Sequence, residues 1–431
     1  MLNWTKEKLV NVADIKMSNV DKKTIETEMP IQLCNYTDVY KNSYIDKNKS
    51  DNFMFASCSK NEYDKFVLKS GQVAITKDSE KSNDIGIPTY ISDSLDNVVL
   101  SYHLALFTPF EDKLDGKFLR YWLDTKQSKI YFENNASGSG QRYFLALDTV
   151  KGIPLFLPEL KEQQEISNLL FNLDSKIELN NKINKELEAM AKMLYDYWFV
   201  QFDFPNEFGK PYKSSGGKMV YNQELKREIP QGWESKKLDD IISKTGTGLN
   251  PRDNFKLGFG NNYYVTIKNI EQGKVILDDK CDKVDDEALK IINRRSDLRV
   301  GDILFTSIQP VGVAYLIQEQ PQNWNINESV FTIRPDYNLV SSDFLFMLLS
   351  SDFMKAYTNN VSTGSIHKGV RHTDLKSFKF AYSGNTIIKN FNKIVNPMLK
   401  KMYINEQQNQ ELAKLRDWLL PMLMNGQVKV T

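Results

Sequence analysis

The sequence predicts an α+β protein. Two similar strand-rich domains are each followed by a long helix, and the two helices pack as an antiparallel coiled coil under pseudo-two-fold symmetry. Three observations carry this expectation: the chain repeats itself once, strand-like runs recur in both halves, and each half ends in an apolar stripe of helical period.

The repeat is read from ordered landmarks. Trp4 and Leu9 recur as Trp233 and Leu238, a shift of 229, and LKSGQVAIT (Leu68–Thr76) recurs as LRVGDILFT (Leu298–Thr306), a shift of 230. Gly86 then matches Gly312, Pro109 matches Pro335, and ASGSG (Ala136–Gly140) matches STGSI (Ser362–Ile366), each shifted by 226. The expected boundaries are 1–157 and 233–384 for the domains, 158–201 and 385–425 for their helices, and 202–232 for a connector.

Within the first domain QVAIT and NVVLSYHLALF read as strands and KFLRYWLD as a helix. YYVTIKNI, GDILFTSI and SVFTIRP are the strands of the second, with DFLFMLLSSDFMKAY as its matching helix. The connector is rich in Pro, Gly and Ser, which marks an exposed segment with a short strand or two at most.

The stripe runs through Leu169, Leu173, Ile183, Leu187, Met190, Leu194 and Tyr197 in steps of three and four. Shifted by 225 it becomes Ile394, Met398, Gln408, Leu412, Leu415, Leu419 and Met422. Two polar residues interrupt each copy, Lys176 and Asn180 in one and Lys401 and Asn405 in the other. A buried Asn penalises slipped registers, so these four residues are expected to set the helix-pair register. The alternative places them on a solvated edge. Pro397 is expected to kink or break the second helix, or to start a new one.

Composition excludes several classes. Lys and Arg number 56 against 55 Asp and Glu, so no basic excess announces a nucleic-acid partner. No run of about 18 apolar residues is present to span a membrane, and the N-terminus lacks a signal-peptide core, which predicts a cytoplasmic protein. Cys34, Cys58 and Cys281 form no CxxC pair or zinc set, and the three histidines His103, His367 and His372 form neither a metal set nor a triad. Neither a GxxxxGK[ST] loop nor an NPPY-like or DPPY-like tetrapeptide occurs, so catalytic residues and bound metal are expected to be absent.

LPELKEQQEI, LDSKIELN and REIPQGWE, with the stretch from Leu157 to Glu234 that contains them, closely resemble the specificity subunit of type I restriction–modification systems. The likeness covers the whole chain. It implies a non-catalytic subunit with two target recognition domains, each reading one half of a bipartite, asymmetric site in double-stranded DNA. It also implies that the helices set the spacer and dock two modification (adenine methyltransferase) subunits, with restriction/translocase subunits joining later. S-adenosylmethionine, ATP and Mg would then belong to the partner subunits. A coiled-coil scaffold linking protein partners without DNA is the alternative.

Base readout needs donors and acceptors at base edges, and positioning needs cations near phosphates. The segments after the matched Gly-Ser turns supply both: Ser137, Ser139, Gln141, Arg142 and Tyr143 in the first half, and Thr363, Ser365, His367, Lys368, Arg371 and His372 in the second. Further candidates are Asn35, Tyr36, Tyr40 and Lys41 in LCNYTDVYKN, Asn250, Arg252 and Lys256 in LNPRDNFK, and Gln309 in SIQPVG. A flexible hairpin with solvated charges, or core packing for the tyrosines, is the competing reading.

Overall fold

The computed structural model describes residues 4–271, 273–362 and 369–430. Its contacts divide the chain into two compact units, residues 1–180 with 407–431, and residues 181–406.

In the first unit, a five-stranded sheet runs in the order Ala13–Met17, Leu104–Pro109, Val73–Thr76, Pro88–Ile91 and Tyr44–Ile45. Period-two alternation sends its side chains into two cores. Val73, Ile75, Ala105 and Phe107 join one, and Ala74, Leu104 and Leu106 join the other. The second core is completed by a four-stranded sheet ordered Met54–Cys58, Met29–Cys34, Leu95–Leu100 and Val67–Leu68. Helix α1 (Tyr36–Lys41) follows Met29–Cys34 directly. Helix α2 (Gly116–Leu123) starts where Asp115 accepts a hydrogen bond from the Phe118 amide at 2.8 Å. A Cβ on Gly116 would lie 2.0 Å from the Gly71 carbonyl oxygen, so only glycine permits this approach. The long helix α3 (Leu160–Tyr195) comes after the strand Pro154–Leu157, which pairs with Thr5–Lys8.

The second unit holds a four-stranded sheet ordered Ile242–Thr247, Val330–Pro335, Ile303–Thr306 and Ala314–Leu316. The single helix expected from DFLFMLLSSDFMKAY is two, Ser342–Ser350 and Asp352–Val361. Ser351 leaves helical geometry with ψ 153, and its hydroxyl accepts from the Met354 amide to start the second piece. Helix α4 (His372–Lys376) precedes the strand Lys379–Tyr382, and helix α5 (Asn385–Met424) follows.

The connector is mostly exposed and carries two short strands, Met219–Asn222 paired with Arg227–Pro230, as expected, but it is not exposed throughout: Phe202, Phe204 and Ile229 are buried in the second unit's core. A π turn at Asp196–Val200 sends Trp198 and Phe199 into the same core, with Phe199 5.0 Å from both Phe344 and Phe391. Nor does Pro397 break α5, which is helical from Asn385 to Met424. An interior proline costs about 3 kcal/mol. Burial of Phe391, Val395 and Leu399 on its two sides contributes roughly 1.5–3 kcal/mol each, so packing wins.

Within each unit, α3 and α5 run antiparallel. In the first, Asp174 meets Arg416 and Asn180 meets Asn409. In the second, Asn184 meets Asn405 and Tyr195 meets Phe391. The stripe is displaced from the predicted one. Ile166, Leu170, Asp174, Asn180, Ala191 and Tyr195 are buried on α3, whereas Met190, Ile394 and Leu415 are exposed.

The polar notch is also built differently. Asn180 Nδ2 donates to Asn409 Oδ1 at 2.9 Å in the first unit, and Asn405 Nδ2 donates to Asn184 Oδ1 at 2.8 Å in the second. Asn184 and Asn409 are themselves related by the 225-residue shift. Lys176 and Lys401 are exposed: their long charged side chains stay in water, and the shorter amides can pair in the interior.

Candidate nucleic-acid interface

The first unit brings its two candidate segments together. Ser137–Ser139 and Arg142–Phe144 form a hairpin in register Ser139 to Arg142, and the second strand pairs onward with Asp78–Ser79. Gly138 has φ 134, and a Cβ there would sit 2.2 Å from the Arg142 carbonyl oxygen, so the hairpin closes tightly because this residue is glycine. Ser137, Gln141 and Arg142 are exposed, while Tyr143 is half-buried against the core beneath.

The segment that follows Asp78–Ser79 reaches α1 at Asp84. Tyr36 stacks on Tyr40 at 5.6 Å, and the Tyr40 hydroxyl donates to Asp84 at 3.1 Å. That hydrogen bond raises the Tyr40 hydroxyl above its usual pKa. Lys41 is exposed in the last turn of α1. Asn35 must be withdrawn as a surface contact. It is buried where α1 begins, with its amide N–H bonded to Asp38 at 2.8 Å, so it shapes the helix start.

Two residues that local sequence could not join to this face are Asp78 and His103. Arg142 Nη2 lies 3.4 Å from Asp78 Oδ2 and 2.6 Å from His103 Nδ1, and His103 Nδ1 lies 2.6 Å from Asp78 Oδ2. They stand 64 and 39 residues from Arg142, so spacing gave no signal.

In the second unit, Thr363, Ser365, His367 and Lys368 lie outside the described residues. The flanking candidates do converge. Ile308 bridges Gly369, and the Val370 amide donates to the Ser307 carbonyl at 2.8 Å, which sets exposed Gln309 near exposed Arg371 at the start of α4. Arg252 is exposed beside Asn250, whose Nδ2 donates to Glu328 at 2.8 Å, and Lys256 is exposed nearby. Arg295, not singled out from sequence, donates from Nη2 to Thr247 Oγ1 at 3.3 Å and from Nε to the Gly248 carbonyl at 3.2 Å.

His372 belongs to the frame more than to the surface. Its Nε2 lies 2.6 Å from Thr245 Oγ1 and its ring packs edge-on against Phe331 at 5.0 Å. Burial pushes its pKa below the usual imidazole value, Lys376 adds to that, and Asp239 opposes it. The folded state therefore binds this proton less readily than the unfolded chain. The resulting stability is fully present above the ordinary imidazole range and is lost as pH falls through the folded value. The melting temperature of the second unit is expected to fall as pH drops below the ordinary imidazole range, and His372→Gln should flatten part of that slope. Unchanged slopes in thermal melts of the variant would count against this account.

Among the described residues, no group of three or more His, Cys, Asp or Glu is placed to hold a metal ion, and no helix is long and apolar enough to cross a membrane. What the two faces offer is hydrogen-bonding and cationic side chains on turns backed by rigid sheets. The model of the type I restriction modification DNA specificity domain matches residues 1–189 and again 230–414. The chain belongs to that family. The double match agrees with the duplication read from the sequence.

Similar proteins match at low identity. The MjaIX specificity subunit, a type I restriction enzyme component of Methanocaldococcus jannaschii, is 27% identical over 328 residues, covering 74% of this chain and 71% of that protein. The HindI specificity subunit of Haemophilus influenzae is 24% identical over 415 residues, covering 84% and 88%. A crystal structure of a type I restriction-modification system S subunit from M. genitalium aligns with a TM-score of 0.63 at 16% identity, covering 98% of this chain and 96% of that one, a likeness of fold.

Proposed function

We propose that the chain supplies sequence specificity to a type I restriction–modification complex, each unit reading one half of a bipartite duplex site. The family match over both halves carries this reading. The exposed hairpin of the first unit and the Gln309–Arg371 corner of the second are the surfaces suited to it. Methyl transfer and DNA cleavage fall to partners, two modification subunits and the restriction/translocase subunits. S-adenosylmethionine, ATP and Mg would be bound there. This chain contributes recognition, with α3 and α5 as the spacer element on which the modification subunits dock.

The asparagine pairs support a register role, since an amide finds its hydrogen bond only when it faces another polar group. Methylation mapping in cells that carry the chain and its modification partner tests the whole reading. A split motif with one spacer length is expected. With Asn180 and Asn405 both replaced by Leu, mixed spacers or weakened modification should appear. An unsplit motif, or none, sinks the proposal, and an unaltered spacer in the double variant removes the register role alone.

A further inference from the structure

We infer that Arg142 reads a guanine in the half-site taken by the first unit, and that Asp78 and His103 are positioning residues that hold its guanidinium for the task. This rests on the function just proposed. Three observations point to it.

The first is geometric. Arg142 sits on the central strand of a three-stranded sheet, with the hairpin strand Ser137–Ser139 on one side and Asp78–Ser79 on the other, and the pairing of Phe144 to Asp78 puts the carboxylate diagonally across from Arg142 on the same face. The second is the asymmetry of exposure. The Arg142 side chain is 57% exposed, against 16% for Asp78 and 17% for His103. Contacts converge on Nη2 alone, and Nε and Nη1 have no partner among the described residues. Nη2 is held, and Nη1 is left to complete a two-donor fork with it. The third is chemical. A single ring nitrogen either donates or accepts, so His103 Nδ1 serves Asp78 or Arg142 but not both. In either state the guanidinium keeps a partner on its inner edge.

An ion pair this exposed adds little to stability, so its consequence is orientation. Guanine presents O6 and N7 as paired acceptors in the major groove, which a planar two-donor fork matches and a lysine ammonium does not. Holding the fork in advance removes rotamer freedom that binding would otherwise have to freeze.

The test uses the chain assembled with its modification partner and duplexes bearing the mapped site or single-base changes to it. The wild-type first half-site is expected to contain a guanine. Arg142→Ala should lose about 5- to 100-fold discrimination at that base pair and leave the other half-site intact. Arg142→Lys should fail to restore it. Asp78→Asn and His103→Gln should each lose part of the discrimination at the same base pair, with affinity for the changed duplex unaltered. Uniform weakening on all duplexes would mark Arg142 as a phosphate contact and overturn the inference, as would unchanged preference or loss at a pair without guanine. If Arg142→Ala does not fold in thermal melts, Arg142→Lys keeps the ion pair and decides the matter. A wild-type complex that methylates no split motif defeats the proposed function itself. A split motif indifferent to Arg142 defeats only this assignment.

Discussion

Replacing Asp174 by Ala should destabilise the first unit by about 3–5 kcal/mol, the cost of leaving a buried charge without its partner. Asp174 is 6% exposed on α3. Its Oδ2 accepts from the Tyr121 hydroxyl at 2.6 Å and lies 3.5 Å from Arg120 Nη1, and its Oδ1 accepts from Arg416 Nη1 at 2.7 Å. Arg120 is itself only 9% exposed, and without the Asp174 carboxylate it keeps only Asp124, 3.6 Å away and nearer the surface. Three helices meet at this one group: α2 from the strand-rich domain, α3, and the C-terminal part of α5. Asp174→Asn keeps the shape and one acceptor, and its loss should be smaller. Chemical denaturation of both variants checks this, together with an Asp174→Ala/Arg416→Ala double-variant cycle. Additive losses in the cycle would show that the pair is not coupled.

Why this cluster escaped the sequence, while the duplication did not, is a matter of range. Landmarks such as Trp4 and Trp233, or Gly86 and Gly312, announce themselves because repetition needs no knowledge of contacts. Strands such as Val73–Thr76 and Ile303–Thr306 were legible because burial on both faces demands a continuous apolar run. Asp174 and Arg416 are 242 residues apart, and nothing local distinguishes them from solvated charges. The same limit moved the polar notch from Lys176 and Lys401 to Asn184 and Asn409. A heptad template places a residue on a face but does not say which of two adjacent polar side chains the partner helix will accept.

The candidate site divides along the same line. Exposed Gln141, Arg142, Gln309 and Arg371 follow from turn chemistry, which is local. Asn35 misled because an amide that starts a helix and an amide that reads a base look identical in sequence. Asp78 and His103 acquire meaning only once the 78–79 and 142–144 strands pair. The candidate surfaces are assembled by strand pairing, so the types of their residues can be read from sequence but their neighbours cannot.

Arg334→Ala should cost the second unit a comparable amount, about 3–5 kcal/mol. Asp302 is fully buried, and Arg334 grips it with Nε to Oδ1 at 2.7 Å and Nη2 to Oδ2 at 2.8 Å, while Nη2 also donates to the Asp297 carbonyl at 2.7 Å. The Arg299 amide supplies one further donor at 2.9 Å, which cannot neutralise the charge. Arg334→Lys retains the charge without the fork and should lose less. Removing both partners in Arg334→Ala/Asp302→Ala should be milder than the sum of the single losses, since no orphaned carboxylate remains. The consequence reaches the candidate surface through the sheet. Lys244 pairs with Arg334 and Thr245 with Ile333, and Thr245 holds the His372 ring at the base of the Arg371 corner. A loss of this size is a large share of a typical total of 5–15 kcal/mol, so Arg334→Ala should weaken modification at elevated temperature while leaving the preferred bases unchanged. Altered base preference at low temperature, where the unit is folded, would instead place Arg334 among the readers and contradict its engagement with the buried Asp302.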